Sequence, residues 1–168
     1  MDRYTIEIAW EGHLNIQKVI DKKNDGGSKS DNWAGGDYGV YQIYGPHILN
    51  KEDALLYVGK AVDETFSLRF RDHKINLLKD EDPDKIKIYL GRLESSPQYT
   101  PKYNWRIWYR DVDIVEHILI YRYTPHYNSA RLNQYPNLYP HDGIKLLHKG
   151  SMGRLSSEDN APRDYMKQ

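Results

Sequence analysis

A carboxylate, Glu116, falls within an apolar stripe in the second half of the chain. At about 100° per residue, it shares a predicted helix face with Val112, Leu119, Ile120 and Tyr123. Burying a carboxylate without a partner is costly, so we expect Glu116 to meet a metal ion, an arginine or backbone donors. A single carboxylate suits Mg²⁺, which keeps several waters and takes its other ligands from a phosphate.

A second helical segment combines an arginine and a histidine. Arg69 precedes His73 by four residues, which places both side chains on one face. The planar guanidinium can hold a phosphate through two hydrogen bonds and stabilise charge that develops in a transition state. Arg71 competes for this role, and a histidine in such a stripe can equally be a packed core residue. The apolar stripe itself consists of Phe66, Phe70 and Leu77.

Two tyrosines, Tyr41 and Tyr57, lie in neighbouring strand-like runs. They could share one sheet face, but sequence does not reveal the register, and cross-strand aromatic packing explains them equally well. A free phenol has a pKa near 10, too high for an efficient base at neutral pH. For Tyr41 to take a proton from water, a cation or a second acid–base group must help, and Lys60 and His73 are the candidates.

Taken in order, these residues resemble the GIY-YIG nuclease family. The resemblance covers residues 39–128, just over half of the chain. It rests on Gly39-Val40-Tyr41, Tyr57-Val58-Gly59, the Arg-x-x-x-His that starts at Arg69, the Glu-x-x-Leu-Ile that starts at Glu116, and Pro125-x-x-Asn128.

This resemblance implies metal-dependent hydrolysis of a DNA phosphodiester. Tyr41 would be the general base, helped by Lys60 or His73, and Glu116 would hold Mg²⁺, for which Mn²⁺ can substitute. Asn128 would tie the active-site loop together, although it also suits an ordinary turn. The catalytic set implied by the family is Tyr41, Tyr57, Lys60, Arg69, His73, Glu116 and Asn128.

The charge balance gives only weak guidance about partners. The 168 residues carry 24 basic and 24 acidic side chains, whereas nucleic-acid binders usually show a basic excess. Basic residues nevertheless cluster at 69–74, 102–110 and 145–154, either as one basic face or as ordinary solvated surface. The DNA contacts expected from these clusters are Arg71, Lys74, Lys102, Arg106 and Arg110.

The remaining composition bounds the cellular context and the rival functions. No cysteine, secretion signal or membrane-length apolar run is present, so we expect a cytoplasmic protein without a membrane partner. The flanks are too short for a separate DNA-binding domain, which favours a compact, restriction-type enzyme; a homodimer is compatible. The main alternative is a non-catalytic module that binds DNA or protein, since fold alone does not give function. A small-molecule hydrolase lacks any matching motif.

The sequence predicts an α+β fold, a small antiparallel sheet made of the tyrosine hairpin plus a third strand and flanked by helices. One domain is expected over residues 1–155, with its core at 38–128 and a disordered tail at 156–168. Strands are predicted at 4–10, 39–44, 54–60, 85–93 and 144–147, and loops at 24–36, 45–53 and 94–104. Helices are predicted at 14–22, at 65–79 with Asp63 as the cap, and from a cap at Asp111 or Asp113 to about Tyr123.

Overall fold

The computed structural model describes residues 4–22, 38–47, 51–73, 81–94, 101–132 and 143–160. Within these ranges, six strands form one sheet, three α-helices pack on it, and a 3₁₀ turn covers Pro83–Lys85. The strands are β1 (Tyr4–Leu14), β2 (Gly39–His47), β3 (Lys51–Ala61), β4 (Lys87–Leu93), β5 (Ile144–Gly150) and β6 (Glu158–Asn160). The helices are α1 (Ile16–Ile20), α2 (Phe66–His73) and α3 (Pro101–Tyr123).

The sheet is larger than predicted and is mixed rather than antiparallel. Its order is β3-β2-β4-β1-β5-β6, and β1 pairs with β5 in parallel, with Tyr4 opposite Ile144. The α+β class is confirmed, but the prediction of a hairpin plus a third strand is wrong in extent. The pairing of β1 with β5 joins chain ends about 140 residues apart, which local sequence patterns do not encode.

The tyrosine hairpin, β2 with β3, has longer strands than its sequence suggested. Pairing continues to His47 and resumes at Lys51, within the predicted 45–53 loop. Ile43 lies opposite Tyr57 and Tyr44 lies opposite Leu55, so Leu56 is an extra residue, a β-bulge. The bulge breaks strict alternation in β3 and brings Tyr57 to the Tyr41 side of the sheet.

The two faces of the sheet bury separate cores. One core contains Val40 and Val58 together with Val112, Val115 and Leu119 of α3. The other core contains Tyr41 and Ile43, covered by side chains of α1 and α2: Ile16, Val19, Phe66 and Phe70. Helices therefore approach from both faces, and β3 lies at the sheet edge between them.

The start of α2 is close to the prediction, but its cap is a different residue. The Thr65 hydroxyl accepts a hydrogen bond from the Leu68 backbone N–H at 3.4 Å, so Thr65 takes the position expected for Asp63. The second half of the predicted 65–79 helix, including Leu77, lies outside the described residues, as does the whole of the predicted 24–36 loop.

Helix α3 begins at Pro101, ten residues before one predicted cap, Asp111, and twelve before the other, Asp113. Pro101 opens it, a position at which the missing proline N–H costs nothing, so the predicted 94–104 loop is wrong at its end. Asp111 lies inside the helix and is fully buried, where it accepts a hydrogen bond from the Tyr4 hydroxyl at 2.5 Å. No helix in the described part of the chain is both long and apolar enough to cross a membrane.

Strand β6 lies inside the segment predicted as a disordered tail. Its fully buried Asp159 accepts hydrogen bonds from the Tyr123 hydroxyl at 2.8 and 3.0 Å and lies 3.2 Å from His148 Nε2. Arg122 pairs with the same carboxylate. These partners compensate the buried charge and hold residues 158–160 on the sheet.

Candidate active site

The side chains singled out in the sequence meet beside β3. The Tyr41 and Tyr57 rings are 6.0 Å apart between centroids, and Lys60 Nζ lies 3.3 Å from Glu116 Oε2. The charges of Arg69 and Glu116 both act on the Tyr57 hydroxyl. Four elements contribute side chains to this cluster: β2, β3, α2 and α3. The cluster lies at the sheet edge because β3 is the edge strand and the two helices pack on opposite faces of the sheet.

Tyr41 occupies a tight aromatic pocket. Its ring packs edge-on against Phe70 at 4.8 Å, and only 2% of the residue is exposed. A Cβ on Gly59 would lie 2.5 Å from the Tyr41 hydroxyl, so only glycine leaves room for the ring there. Burial and the neighbouring Tyr57 raise the Tyr41 pKa, while a hydrogen bond with Arg69 opposes that rise. Tyr41 is therefore protonated at neutral pH and needs cationic help to act as a base.

Tyr57 is the more accessible of the two phenols. Burial and the charge of Glu116 raise its pKa, whereas Arg69 and a hydrogen bond with Tyr41 lower it. The two phenols thus lie close enough for each to change the pKa of the other, and the charges of Arg69 and Glu116 act on both.

Arg69 stands beside this pair and retains hydrogen-bonding capacity. Its Nη1 contacts Glu64 Oε1 at 3.1 Å, a partner that the sequence analysis missed. Its Nε is buried and has no hydrogen-bond partner among the described residues. His73 ends α2 four residues later, and its side chain lies outside the described part; Arg71 is exposed, and Lys74 is outside the described residues.

Glu116 has the partners that its burial demanded. Its carboxylate is 12% exposed and contacts Lys60 at 3.3 Å and Arg131 at 3.2 Å. Burial raises the pKa of Glu116, and the charges of Lys60 and Arg131 oppose that rise. From the sequence, we expected Glu116 to meet a metal ion, an arginine or backbone donors. In the described structure, its partners are the cationic side chains of Lys60 and Arg131.

Asp113 completes a quartet of two carboxylates and two cations with Glu116, Lys60 and Arg131. It pairs with Lys60 and accepts from Arg131 Nη2 at 3.0 Å. Burial alone would lower the pKa of Lys60, but the hydrogen bond to Asp113 and the charges of both carboxylates outweigh it and raise that pKa. Lys60 is thus a fixed cation at neutral pH rather than a proton acceptor.

Sequence reasoning treated Asp113 only as a helix cap and missed Arg131. The sequence did contain a signal for Asp113: it precedes Glu116 by three residues on one helix, which places both carboxylates on the same face. Arg131 offered no comparable signal, because its contact depends on the path of the chain after α3. Its φ of 67° lies in the left-handed region.

Asn128 fastens the segment after α3 to the edge of the sheet. Its Oδ1 accepts from the Val58 backbone N–H and its Nδ2 donates to the Val58 carbonyl, both at 2.9 Å. The Tyr127 N–H adds a bond to the Leu56 carbonyl at 2.7 Å. This geometry fits the role expected for Asn128, which is to tie the loop to the active site. By fixing the Val58 backbone, Asn128 also holds the neighbouring Tyr57 and Gly59 in place.

The early start of α3 extends the site along one helix face. Arg106, Tyr109, Asp113 and Glu116 follow one another at spacings of three and four residues and so share one strip. Arg106 is exposed on this strip. Arg110 contacts Asp111 at 2.9 Å and the Tyr4 ring at 5.7 Å, which limits its reach toward a ligand. Lys102 lies in the first turn of α3, and its side chain is not described.

The side chains of this cluster suit only a metal ion that needs a single protein carboxylate. No group of three or more His, Cys, Asp or Glu side chains that could hold a metal occurs in the described ranges. Glu116 alone can still serve a Mg²⁺ ion whose other ligands are waters and a substrate phosphate. Lys60 and Arg131 compete with such an ion for the carboxylate.

The cluster combines a planar guanidinium, a fixed lysine, two neighbouring phenols and a carboxylate that is paired with two cations. Such a set can bind a phosphate and stabilise added negative charge. Comparison with known proteins found no match to this chain among protein-family models, curated proteins or solved structures.

Proposed function

We propose that this protein is a metal-dependent endonuclease of the GIY-YIG type, a compact restriction-like enzyme that hydrolyses DNA phosphodiesters in the cytoplasm. The observation that carries the proposal is the meeting of Tyr41, Tyr57, Arg69 and Glu116 beside one strand, although they are drawn from segments up to 75 residues apart. Their order and spacing resemble that family, and their chemistry suits a phosphodiester.

In the proposed reaction, water attacks phosphorus and the bond to the leaving oxygen breaks. Arg69 binds the phosphate through its planar fork and stabilises the charge that gathers on its oxygens. When bound at Glu116, Mg²⁺ would supply Lewis-acid stabilisation of that charge. The Tyr41 hydroxyl first loses its proton to bulk water, and its phenolate then takes the proton of the attacking water, while the leaving oxygen takes a proton from bulk water. The charge of Arg69 favours the Tyr41 phenolate, and the charge of Lys60 favours the phenolate of the neighbouring Tyr57. The sequence analysis left the helper role open between Lys60 and His73.

The DNA would lie along the outer strip of α3. At a rise of about 1.5 Å per residue, the ten residues between Arg106 and Glu116 span roughly 15 Å, so Arg106 can contact the backbone away from the scissile phosphate. Arg71, Lys74 and Lys102 are proposed as further phosphate contacts. Arg110 is a weaker candidate because Asp111 and Tyr4 already engage its guanidinium.

The decisive experiment is cleavage of supercoiled plasmid with Mg²⁺ or Mn²⁺, wild type beside Glu116→Gln. We expect the variant to lose nicking and linearisation, since the amide cannot hold the metal. Glu158→Gln is the matched control, because Glu158 also pairs with a lysine, Lys145 at 2.7 Å, but on β6. Cleavage by Glu116→Gln at the wild-type rate, or wild-type cleavage in EDTA, would overturn the proposal.

A second candidate is a non-catalytic module that binds DNA or a protein. One observation favours it: Lys60 and Arg131 already neutralise Glu116. This candidate predicts duplex binding without cleavage under any divalent metal, and unchanged binding by Glu116→Gln. The same plasmid assay, combined with a gel-shift measurement, separates the two candidates.

A further inference from the structure

The contacts of Arg131 differ in kind from those of Lys60, the other cation on Glu116. Arg131 reaches Asp113 Oδ1 at 3.0 Å, Glu116 Oε2 at 3.2 Å and the Asp113 carbonyl at 3.3 Å. These distances are longer than the roughly 2.7–2.9 Å of strong charge-assisted hydrogen bonds. Lys60 pairs with Asp113, lies 3.3 Å from Glu116 Oε2, and comes from a strand whose backbone is paired within the sheet.

Arg131 is also the more exposed of the two counter-ions. It follows the segment that covers β3, outside any helix or strand, and its side chain is 28% exposed against 21% for Lys60. A guanidinium pairs with a phosphate through two parallel hydrogen bonds, which an ammonium cannot do. A backbone phosphate that enters the site therefore offers Arg131 a better partner than the contacts it has.

The charges of the quartet define what a metal ion would meet. Two carboxylates, Asp113 and Glu116, are balanced by Lys60 and Arg131, so the cluster is neutral. A divalent cation at Glu116 would raise the local charge to +2 and be repelled by both side chains. Loss of Arg131 to a phosphate removes one of these cations and adds a negative charge nearby.

We infer that Arg131 is a displaceable counter-ion of Glu116, which leaves for a DNA phosphate and thereby makes metal binding at Glu116 depend on DNA. The inference rests on the proposed function, because it takes Glu116 as the metal ligand. Arg131 acts as a positioning residue: it controls access to Glu116 and need not touch the reacting atoms. Thermodynamic linkage then requires that the metal raise DNA affinity by the same factor.

The test measures Mn²⁺ binding by calorimetry, without DNA and with a phosphorothioate duplex of mixed sequence that resists cleavage. In the wild type, we expect the duplex to tighten Mn²⁺ binding about tenfold, within the usual range of coupling between sites. Arg131→Gln should bind Mn²⁺ about tenfold more tightly than the wild type without DNA and gain little from the duplex. Arg122→Gln is the control. Arg122 lies on α3, as Glu116 does, but pairs with Asp159 of β6, so this variant should bind Mn²⁺ as the wild type does.

Two outcomes overturn the inference in distinguishable ways. If Glu116→Gln abolishes Mn²⁺ binding but Arg131→Gln leaves the affinity unchanged, Arg131 is only a structural tie and the proposed function survives. If Glu116→Gln does not weaken Mn²⁺ binding, the metal site and the inference fail together. Should Arg131→Gln not fold, the wild-type measurement decides alone, because an Mn²⁺ affinity indifferent to the duplex contradicts the coupling.

Discussion

Truncation of Asn128 to alanine should destabilise the fold measurably, although the residue lies in an irregular segment. The side chain is 7% exposed, and its two hydrogen bonds to Val58 are both 2.9 Å long. Each such bond contributes about 0.5–1.5 kcal/mol net, and each backbone group left unpaired adds up to about 1–3 kcal/mol if water cannot reach it. Because β3 is an edge strand, water can partly replace the amide. We therefore expect a loss of about 2–3 kcal/mol in unfolding free energy.

Urea unfolding followed by tryptophan fluorescence measures this change. Ser129→Ala is the matched control, because Ser129 is the exposed neighbour and should change stability by less than about 0.5 kcal/mol. A loss below about 0.5 kcal/mol for Asn128→Ala would refute the bidentate pairing with Val58.

Asn128→Asp sharpens the test through its pH dependence. An ionised carboxylate still accepts from the Val58 N–H but can no longer donate to the Val58 carbonyl. The protonated acid can donate, so folding should raise the pKa of the introduced carboxyl. The folded state then binds more protons, and stability relative to Asn128→Ala should fall as pH rises from about 4 to 7. A difference that is independent of pH would contradict the hydrogen bond to the carbonyl.

Three further predictions address the site and the core. Tyr41→Phe keeps the ring packing and should lower the cleavage rate by at least about 10²-fold; a near-normal rate in single-turnover assays would transfer the role to Tyr57. Arg69→Lys should reduce turnover far more than duplex affinity, because it keeps the charge and loses the fork; full activity would point to Arg71. Burial raises the Asp111 pKa to about 6 from 3.8, so folded protein binds more protons between these values and stability should fall as pH rises through them, by at most about 3 kcal/mol. Asp111→Asn should lack this slope in urea titrations at pH 4 and 6, and an unchanged slope would contradict it.

Local sequence patterns predicted the elements whose signals are local. The β2 and β3 runs were visible as β-branched and aromatic residues, β4 ends at Leu93 as expected, and α3 ends at Tyr123 before Pro125. The predicted start of α2 at residue 65 lies within one residue of Phe66, although the predicted cap, Asp63, is replaced by Thr65. These features depend on propensity, caps and proline, which act over a few residues.

The features that sequence missed all depend on contacts between distant segments. Asp111 resembled a helix cap, but its partner is Tyr4, 107 residues away. Asp159 made residues 158–160 look like a polar tail, although its partners Tyr123 and His148 bury it. The bulge at Leu56 shifts the alternation of β3 by one residue, which no periodicity argument anticipates. In each case tertiary pairing reverses the local preference.

The edge position of β3 links the stability of this fold to its proposed chemistry. An uncovered edge strand presents unpaired backbone groups that invite association, and residues 126–128 cover the Leu55–Val58 part of this edge. The same segment continues to Arg131, which neutralises Glu116. A substitution that loosens Asn128 should therefore also loosen Arg131, weakening the fold while opening the carboxylate. Stability and access to Glu116 should thus change in opposite directions across variants of this segment.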